Sequence, residues 1–217
     1  MKKYNTVIFD LDGTLLDTLA DLTDSLNYAL GKYGLPGRKP AEVRSFVGNG
    51  VARLVELAIP GGRNHPHYGS CLADFRKHYA ENMQNKTMPY QGIRELLEEL
   101  SRNGFKLGIV SNKFDQAVKG LNRFYFGAYV KVAIGESPNI QRKPAPDTVL
   151  KALAELGATA NQAVYVGDSE VDVKTAHNSG LICVGATWGF RDRTVLEREG
   201  ADYIIDQPQE LLPILNT

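Results

Sequence analysis

The sequence predicts an α/β protein: a doubly wound, Rossmann-like parallel-sheet core with a small all-helical domain inserted after the first strand. Three observations predict it. Six short runs are almost continuously apolar, which suits strands of a parallel sheet covered on both faces. They are Thr6–Phe9, Leu107–Val110, Val130–Ile134, Ala163–Val166, Ile182–Gly185 and Tyr203–Ile205. Helical patterns lie between most of them, and strand–helix alternation implies right-handed βαβ units. From about Thr18 to Asn85, in contrast, no strand pattern occurs.

Each element has a local reason. Ile93, Leu96, Leu97 and Leu100 recur at i, i+3, i+4 and i+7, and Gly104 follows as a stop. Val149, Leu150, Leu153 and Leu156 form a second such stripe between Pro146-Asp147 and Gly157. In the strandless stretch, Leu19, Leu22, Leu26 and Leu30 mark a helix ending near Gly34-Leu35-Pro36-Gly37. Val43–Val47, Val51–Ala58 and Cys71–Met83 read as further helices, punctuated by Pro60-Gly61-Gly62. The expected division is therefore a core of residues 1–17 and 86–217 and a helical insert of residues 18–85.

The bulk properties narrow the function. With 217 residues, 43% of them hydrophobic, the chain suffices for one core and a smaller appendage. Lys plus Arg (25) balance Asp plus Glu (25), which argues against a nucleic-acid or membrane-surface partner. No apolar run approaches the roughly 18 residues of a membrane span. The basic Met1-Lys2-Lys3 is followed by an apolar run that stops at Asp10, too short for a signal peptide. Cys71 and Cys183 do not make a disulfide framework and read as reduced thiols. These features suggest a cytoplasmic protein; they do not distinguish a monomer from a homodimer.

The polar residues that follow the strands carry the chemistry. Asp10-Leu11-Asp12-Gly13-Thr14 follows the first, Ser111-Asn112-Lys113 the second, and Gly167-Asp168-Ser169-Glu170-Val171-Asp172 the fourth. In an open parallel sheet the C-terminal strand ends share one edge, and ligands bind there. Residues 10, 111 and 168 should thus converge. Asp10 and Asp12 are two apart, so an extended chain points both carboxylates to one side, and Gly13 permits a tight turn. Two carboxylates about 4 Å apart repel by roughly 4 kcal/mol at an effective dielectric of 20. Adding Asp168 requires either protonation of one acid or a hard cation. All-oxygen ligands with few protein carboxylates favour Mg²⁺. Asp168-x-Glu170-x-Asp172 is not a calcium loop, since Val173 and Ser179 occupy its glycine and closing-glutamate positions.

These residues resemble the haloacid dehalogenase superfamily of phosphohydrolases. Asp10-Leu11-Asp12-Gly13-Thr14-Leu15 is similar to its first motif in the phosphatase form, Ser111-Asn112 to the second, Lys143-Pro144-Ala145-Pro146 to the third, and Gly167-Asp168-Ser169 with Asp172 to the fourth. The order is the family's, and the insert is placed like its helical cap. Within the superfamily the resemblance is closest to phosphoglycolate phosphatases, through Pro89–Ile93, Phe46–Gly50, Thr187–Phe190 and Gly200–Ile204. Gln91 and the His177-Asn178-Ser179 run depart from that branch.

The resemblance implies a mechanism through an aspartyl-phosphate. Asp10 is the implied nucleophile. Asp12 is the acid that protonates the leaving alkoxide and then the base that activates water. The carboxylates of Asp10 and Asp168 and the backbone carbonyl of Asp12 are the implied Mg²⁺ ligands. Ser111, Asn112 and Lys143 are implied donors to the transferring oxygens, Lys143 also offsetting the acids around Asp10. Thr14 is expected at the substrate end of the loop, orienting Asp12 or the turn. Asp172 reads as a residue behind the metal site, with direct ligation as the alternative. Glu170 is expected to be solvated.

Other features weigh less. Gly48-Asn49-Gly50 is not a dinucleotide loop, because Arg53 takes the third glycine position; as a cap loop its glycines admit close substrate approach, which makes Gly48 a candidate contact. Arg44 is either a partner for a substrate carboxylate or an exposed helix residue. His65 and His67 read as surface, and Trp188 as packing. The implied activity is hydrolysis of a small-molecule phosphate monoester, most closely 2-phosphoglycolate. Another metabolite phosphate or pyrophosphate, a sugar phosphomutase, and a catalytically silent phosphometabolite-binding protein are the alternatives.

Overall fold

The computed structural model describes residues 3–216; Met1 and Lys2 of the basic N-terminus, and Thr217, lie outside them. By Cα proximity the chain divides into two units, Met1–Leu16 with Pro89–Thr217, and Asp17–Met88.

In chain order, the first unit opens with β1 (Thr6–Phe9), and β2 (Leu16–Asp17) follows at the boundary. The second unit contains α1 (Leu19–Gly31), α2 (Pro40–Phe46), α3 (Gly50–Ala58) and α4 (Tyr68–Asn82). The chain returns through β3 (Met88–Pro89) and continues with α5 (Ile93–Arg102), β4 (Lys106–Phe114), α6 (Asp115–Tyr125) and β5 (Val132–Glu136). It ends with α7 (Asp147–Leu156), β6 (Ala163–Gly167), α8 (Glu170–Asn178), β7 (Ile182–Ala186), α9 (Arg193–Glu199), β8 (Tyr203–Ile205) and α10 (Leu211–Leu215).

Six strands form one sheet in the order β5-β4-β1-β6-β7-β8, and each neighbouring pair is parallel. This is the doubly wound α/β architecture. β1 is central, with Thr6 level with Lys106 of β4 on one side and with Ala163 of β6 on the other. All four β1 residues are buried, as their unbroken apolar character predicts. Ile8, Val110, Ile134, Val149, Leu153, Tyr165, Val173 and Cys183 share one core cluster. α7 contributes through the predicted stripe and ends at Gly157, whose φ of +57° is left-handed; Ala158 N–H then bonds back to the Leu153 carbonyl at 2.9 Å.

The helical unit has its own core, including Leu22, Leu26, Val55, Cys71, Phe75 and Tyr79. Phe75 and Tyr79 stack at a centroid distance of 5.7 Å. Asp21, on α1, is buried, and its carboxylate accepts the backbone N–H groups of Lys86 and Thr87 at 2.9–3.0 Å. That carboxylate fixes the returning chain against the first helix of the unit.

The structure differs from the sequence expectation in three places. β2 and β3 form a two-stranded ribbon with no apolar signature. β5 starts at Val132, because the Val130 N–H bonds to the Phe126 carbonyl in the turn that follows α6. β4 does not stop at Val110; it continues through Ser111, Asn112 and Lys113 to Phe114, with a register shift against β5 in between. The polar residues there disguise the strand. Both cysteines are free thiols, as expected, and both are buried.

Replacing Asp21 by Asn sets an amide N–H₂ against backbone donors. We expect a loss of about 2–3 kcal/mol in chemical denaturation. A loss below about 0.5 kcal/mol would show that the carboxylate is not needed there.

Candidate active site

The C-terminal ends of β4, β1 and β6, three adjacent strands, deliver the predicted residues to one place. Asp10 directly follows β1, and its N–H bonds to the Val166 carbonyl at 2.9 Å, so the ladder holds the residue in position. Asp168 follows β6, and Ser111 lies in the extension of β4. Lys143 comes from the loop between β5 and α7, across a cis Lys143–Pro144 peptide bond.

Lys143 is at the centre of the arrangement. Its Nζ lies 2.7 Å from Asp10 Oδ1, 2.7 Å from Asp172 Oδ1 and 3.0 Å from the Tyr165 hydroxyl. All four side chains are buried. Tyr165 O–H donates to the same Asp172 oxygen at 2.9 Å, while Ser169 donates its hydroxyl and N–H to Asp172 Oδ2 at 2.6 and 3.1 Å. Both oxygens of Asp172 therefore have protein donors. Asp172 thus anchors Lys143, and Asp10, Asp168 and Asp172 each offer an oxygen within 4.8 Å of the others, which leaves open both the place behind the metal site and the direct ligation weighed for it. Asn112 adds a second hold, donating from Nδ2 to the Lys143 carbonyl at 3.0 Å.

Asp168 is set by two donors: Thr14 O–H at 2.9 Å to Oδ1 and Phe190 N–H at 2.7 Å to Oδ2. Thr14 thus orients Asp168, a correction to the expectation that named Asp12 or the turn. Trp188 fixes that loop from outside, its indole N–H donating to the Thr14 carbonyl at 2.9 Å. Gly13 has φ +90°, and a Cβ there, or on Gly189, would collide with Asp168. Glycine is required at both positions by close approach, and at Gly13 by backbone conformation as well.

One further expectation fails, and two contacts have no signal in the sequence. Glu170 is not simply solvated; Arg191 Nε pairs with it at 2.9 Å. Lys113, given no role by the sequence, is buried and pairs with Asp12 Oδ1 at 3.0 Å. Tyr165 was hidden inside an apolar strand. Ser111 is buried, its Oγ accepting the Lys113 N–H at 3.2 Å. In the other unit, Arg44 lies in the last turn of α2 and Gly48 follows with φ +118°.

Four carboxylates (Asp10, Asp12, Asp168, Asp172) face two ammonium groups (Lys113, Lys143). Burial pushes Asp10 well above its ordinary pKa; Lys143 pulls it down, and the neighbouring acids push it up again. Burial likewise raises Asp168 to about 7, helped by Asp172 and opposed by Phe190, Thr14 and Lys143. Asp172 resists burial and stays below its ordinary value through Lys143, Ser169 and Tyr165. Lys143 is raised despite burial by Asp10 and Asp172. A cluster of buried carboxylate oxygens, those of Asp10, Asp168 and Asp172, fits a hard divalent cation.

Fold and site define an α/β phosphohydrolase. Residues 7–186 match the family described as haloacid dehalogenase-like hydrolase. Phosphoglycolate phosphatase of Pseudomonas putida is 34% identical, with 95% of this chain and 78% of that protein covered. That of Aquifex aeolicus is 32% identical over 97% of this chain and 96% of the relative. A solved candidate phosphoglycolate phosphatase from Lactobacillus delbrueckii subsp. bulgaricus superposes with TM-score 0.93 at 36% identity, covering 100% of this chain and 99% of that one. The chain belongs to the haloacid dehalogenase-like hydrolase family, and within it is a phosphoric monoester hydrolase. No helix among the described residues is long and apolar enough to cross a membrane.

The raised Asp168 pKa has a stability consequence. Folded protein holds that proton more tightly than unfolded protein, so stability falls as pH rises from about 4 towards about 7. In chelator, Asp168→Asn should therefore stabilise the protein by about 1–3 kcal/mol above pH 7, the gain shrinking towards pH 4. Equal denaturation midpoints for both proteins at high pH would contradict this.

Proposed function

We propose that the protein hydrolyses a small-molecule phosphate monoester in a Mg²⁺-dependent reaction through a phosphoryl group carried on Asp10, and that 2-phosphoglycolate is the substrate. The observation that carries the reading is the buried Lys143–Asp10 pair beside Asp168, at the ends of adjacent parallel strands. The relatives' names support the choice of substrate.

Asp10 attacks phosphorus as the ester P–O bond breaks, and Asp12 gives its proton to the leaving alkoxide. Asp12 then takes a proton from water, which attacks the same phosphorus and releases phosphate as the bond to Asp10 breaks. Lys143 fixes the Asp10 carboxylate and offsets its charge. Ser111 and Asn112 donate to the transferring oxygens, while Thr14 keeps Asp168 oriented. The carboxylates of Asp10 and Asp168 and the Asp12 carbonyl would hold Mg²⁺, which when bound supplies charge that lets an anionic phosphate approach an anionic nucleophile. For Arg44 and Gly48 we propose recognition of the substrate's carboxylate end.

Phosphate release from a metabolite panel, with Mg²⁺ and with chelator, tests this. We expect Asp10→Asn to lower kcat/KM at least about a thousandfold, and chelator to abolish turnover. Activity surviving either change would overturn the mechanism. Phosphoglycolate turned over no better than generic esters would overturn the substrate.

A further inference from the structure

Lys113 is the second lysine of the site, and neither sequence motif nor the mechanism above gives it work. It is 4% exposed, and a lysine is almost never buried to that degree without a partner. The structure supplies one, Asp12 Oδ1 at 3.0 Å. The irregular part of β4 is what aims it. The strand's pairing with β5 shifts between Val110 and Phe114, and Phe114 pairs with Glu136 beyond the shift. Within it, Lys113 N–H bonds back to Ser111 Oγ at 3.2 Å. A Cβ on Gly135 would lie 2.6 Å from the Lys113 carbonyl oxygen, so glycine at that position lets β5 close on the segment. Both ends of the pair are held, since Asp12 bridges Leu16 and the next N–H, that of Gly13, bonds to the Leu16 carbonyl at 2.9 Å.

We propose that Lys113 is a positioning residue for Asp12, holding its carboxylate where it can reach the leaving-group oxygen. The inference rests on the reading of Asp12 as general acid. A proton donor must sit within hydrogen-bond reach of the atom it protonates, so a carboxylate free to rotate loses rate. Lys143 cannot do this work as well, because its ammonium is committed to Asp10, Asp172 and Tyr165. The two lysines divide the site: one serves the nucleophile, the other the acid.

Leaving-group dependence separates this role from simple charge balance or phosphate binding. Esters of acidic phenols leave without a proton, while alkyl esters need one. A lysine that only neutralised charge or gripped the transferring phosphoryl group would affect both equally. We would measure kcat/KM for a series from p-nitrophenyl phosphate to simple alkyl phosphates, with wild type, Asp12→Asn, Lys113→Met, Lys113→Gln and Lys113→Arg. The expected result for Lys113→Met is a loss of about 10–100-fold on alkyl esters with aryl esters near the wild-type rate. Asp12→Asn should deviate further in the same direction, and Lys113→Arg should recover most of the alkyl activity. Should Lys113→Met fail to fold, a steep Lys113→Gln beside a shallow Lys113→Arg gives the same contrast. A uniform loss, or none, in the Lys113 variants beside a leaving-group-dependent Asp12→Asn overturns the inference and leaves the proposed function standing. A leaving-group-independent Asp12→Asn overturns both.

Discussion

One ammonium group, Nζ of Lys143, lies 2.7 Å from each of two buried carboxylates and 3.0 Å from a buried phenol. Removing Lys143 from such a cluster leaves two buried carboxylates without their cation, and breaking a buried ion pair in this way typically costs about 3–5 kcal/mol. The cluster also ties distant parts of the chain together. Asp10 ends β1, Tyr165 lies in β6, Asp172 opens α8, and Asn112 in β4 grips the carbonyl of Lys143 itself. Asp10, the proposed nucleophile, is therefore placed by the sheet rather than by its own loop. It is the arrangement expected of a preorganised site: charge fixed before the substrate arrives.

The same cluster is unbalanced, and the imbalance is functional in character. Two lysines answer four acids, and burial leaves Asp10 and Asp168 with raised pKa values. A protein selected for stability alone would not keep such a group of acids; sites that hold a cation and a phosphate do. The backbone has been cleared to admit them. Gly13 and Gly189 have no room for a Cβ beside Asp168, and Gly167 has none beside Asp172. Side-chain volume at any of the three would displace the carboxylates on which the proposed chemistry depends.

Much of this was legible in the sequence. Strands buried on both faces announce themselves by unbroken apolar runs, and acids placed at their ends are conspicuous; β1 with Asp10 and β6 with Asp168 follow that logic. The unread parts share a physical cause. Lys113 looks like a surface lysine until the fold sets it against Asp12, and Tyr165 looks like a core aromatic until its hydroxyl meets Lys143. The Thr14–Asp168 bond spans 154 positions, and no local pattern encodes it. The apolar pattern of β4 ends at Val110 because the residues beyond it are polar, although their backbone remains strand. Local periodicity reports burial and secondary structure; the partners of a buried charge are set by topology.

The central claim is that Asp10 carries the phosphoryl group. Its most direct test is rapid acid quench of the enzyme mixed with 2-phosphoglycolate and Mg²⁺, followed by proteolysis and mass mapping of the phosphorylated peptide. The account predicts an acyl phosphate on Asp10, formed before product phosphate is released and absent in Asp10→Asn. No phosphoenzyme at any quench time during turnover, or a phosphoryl group on another residue, would contradict it.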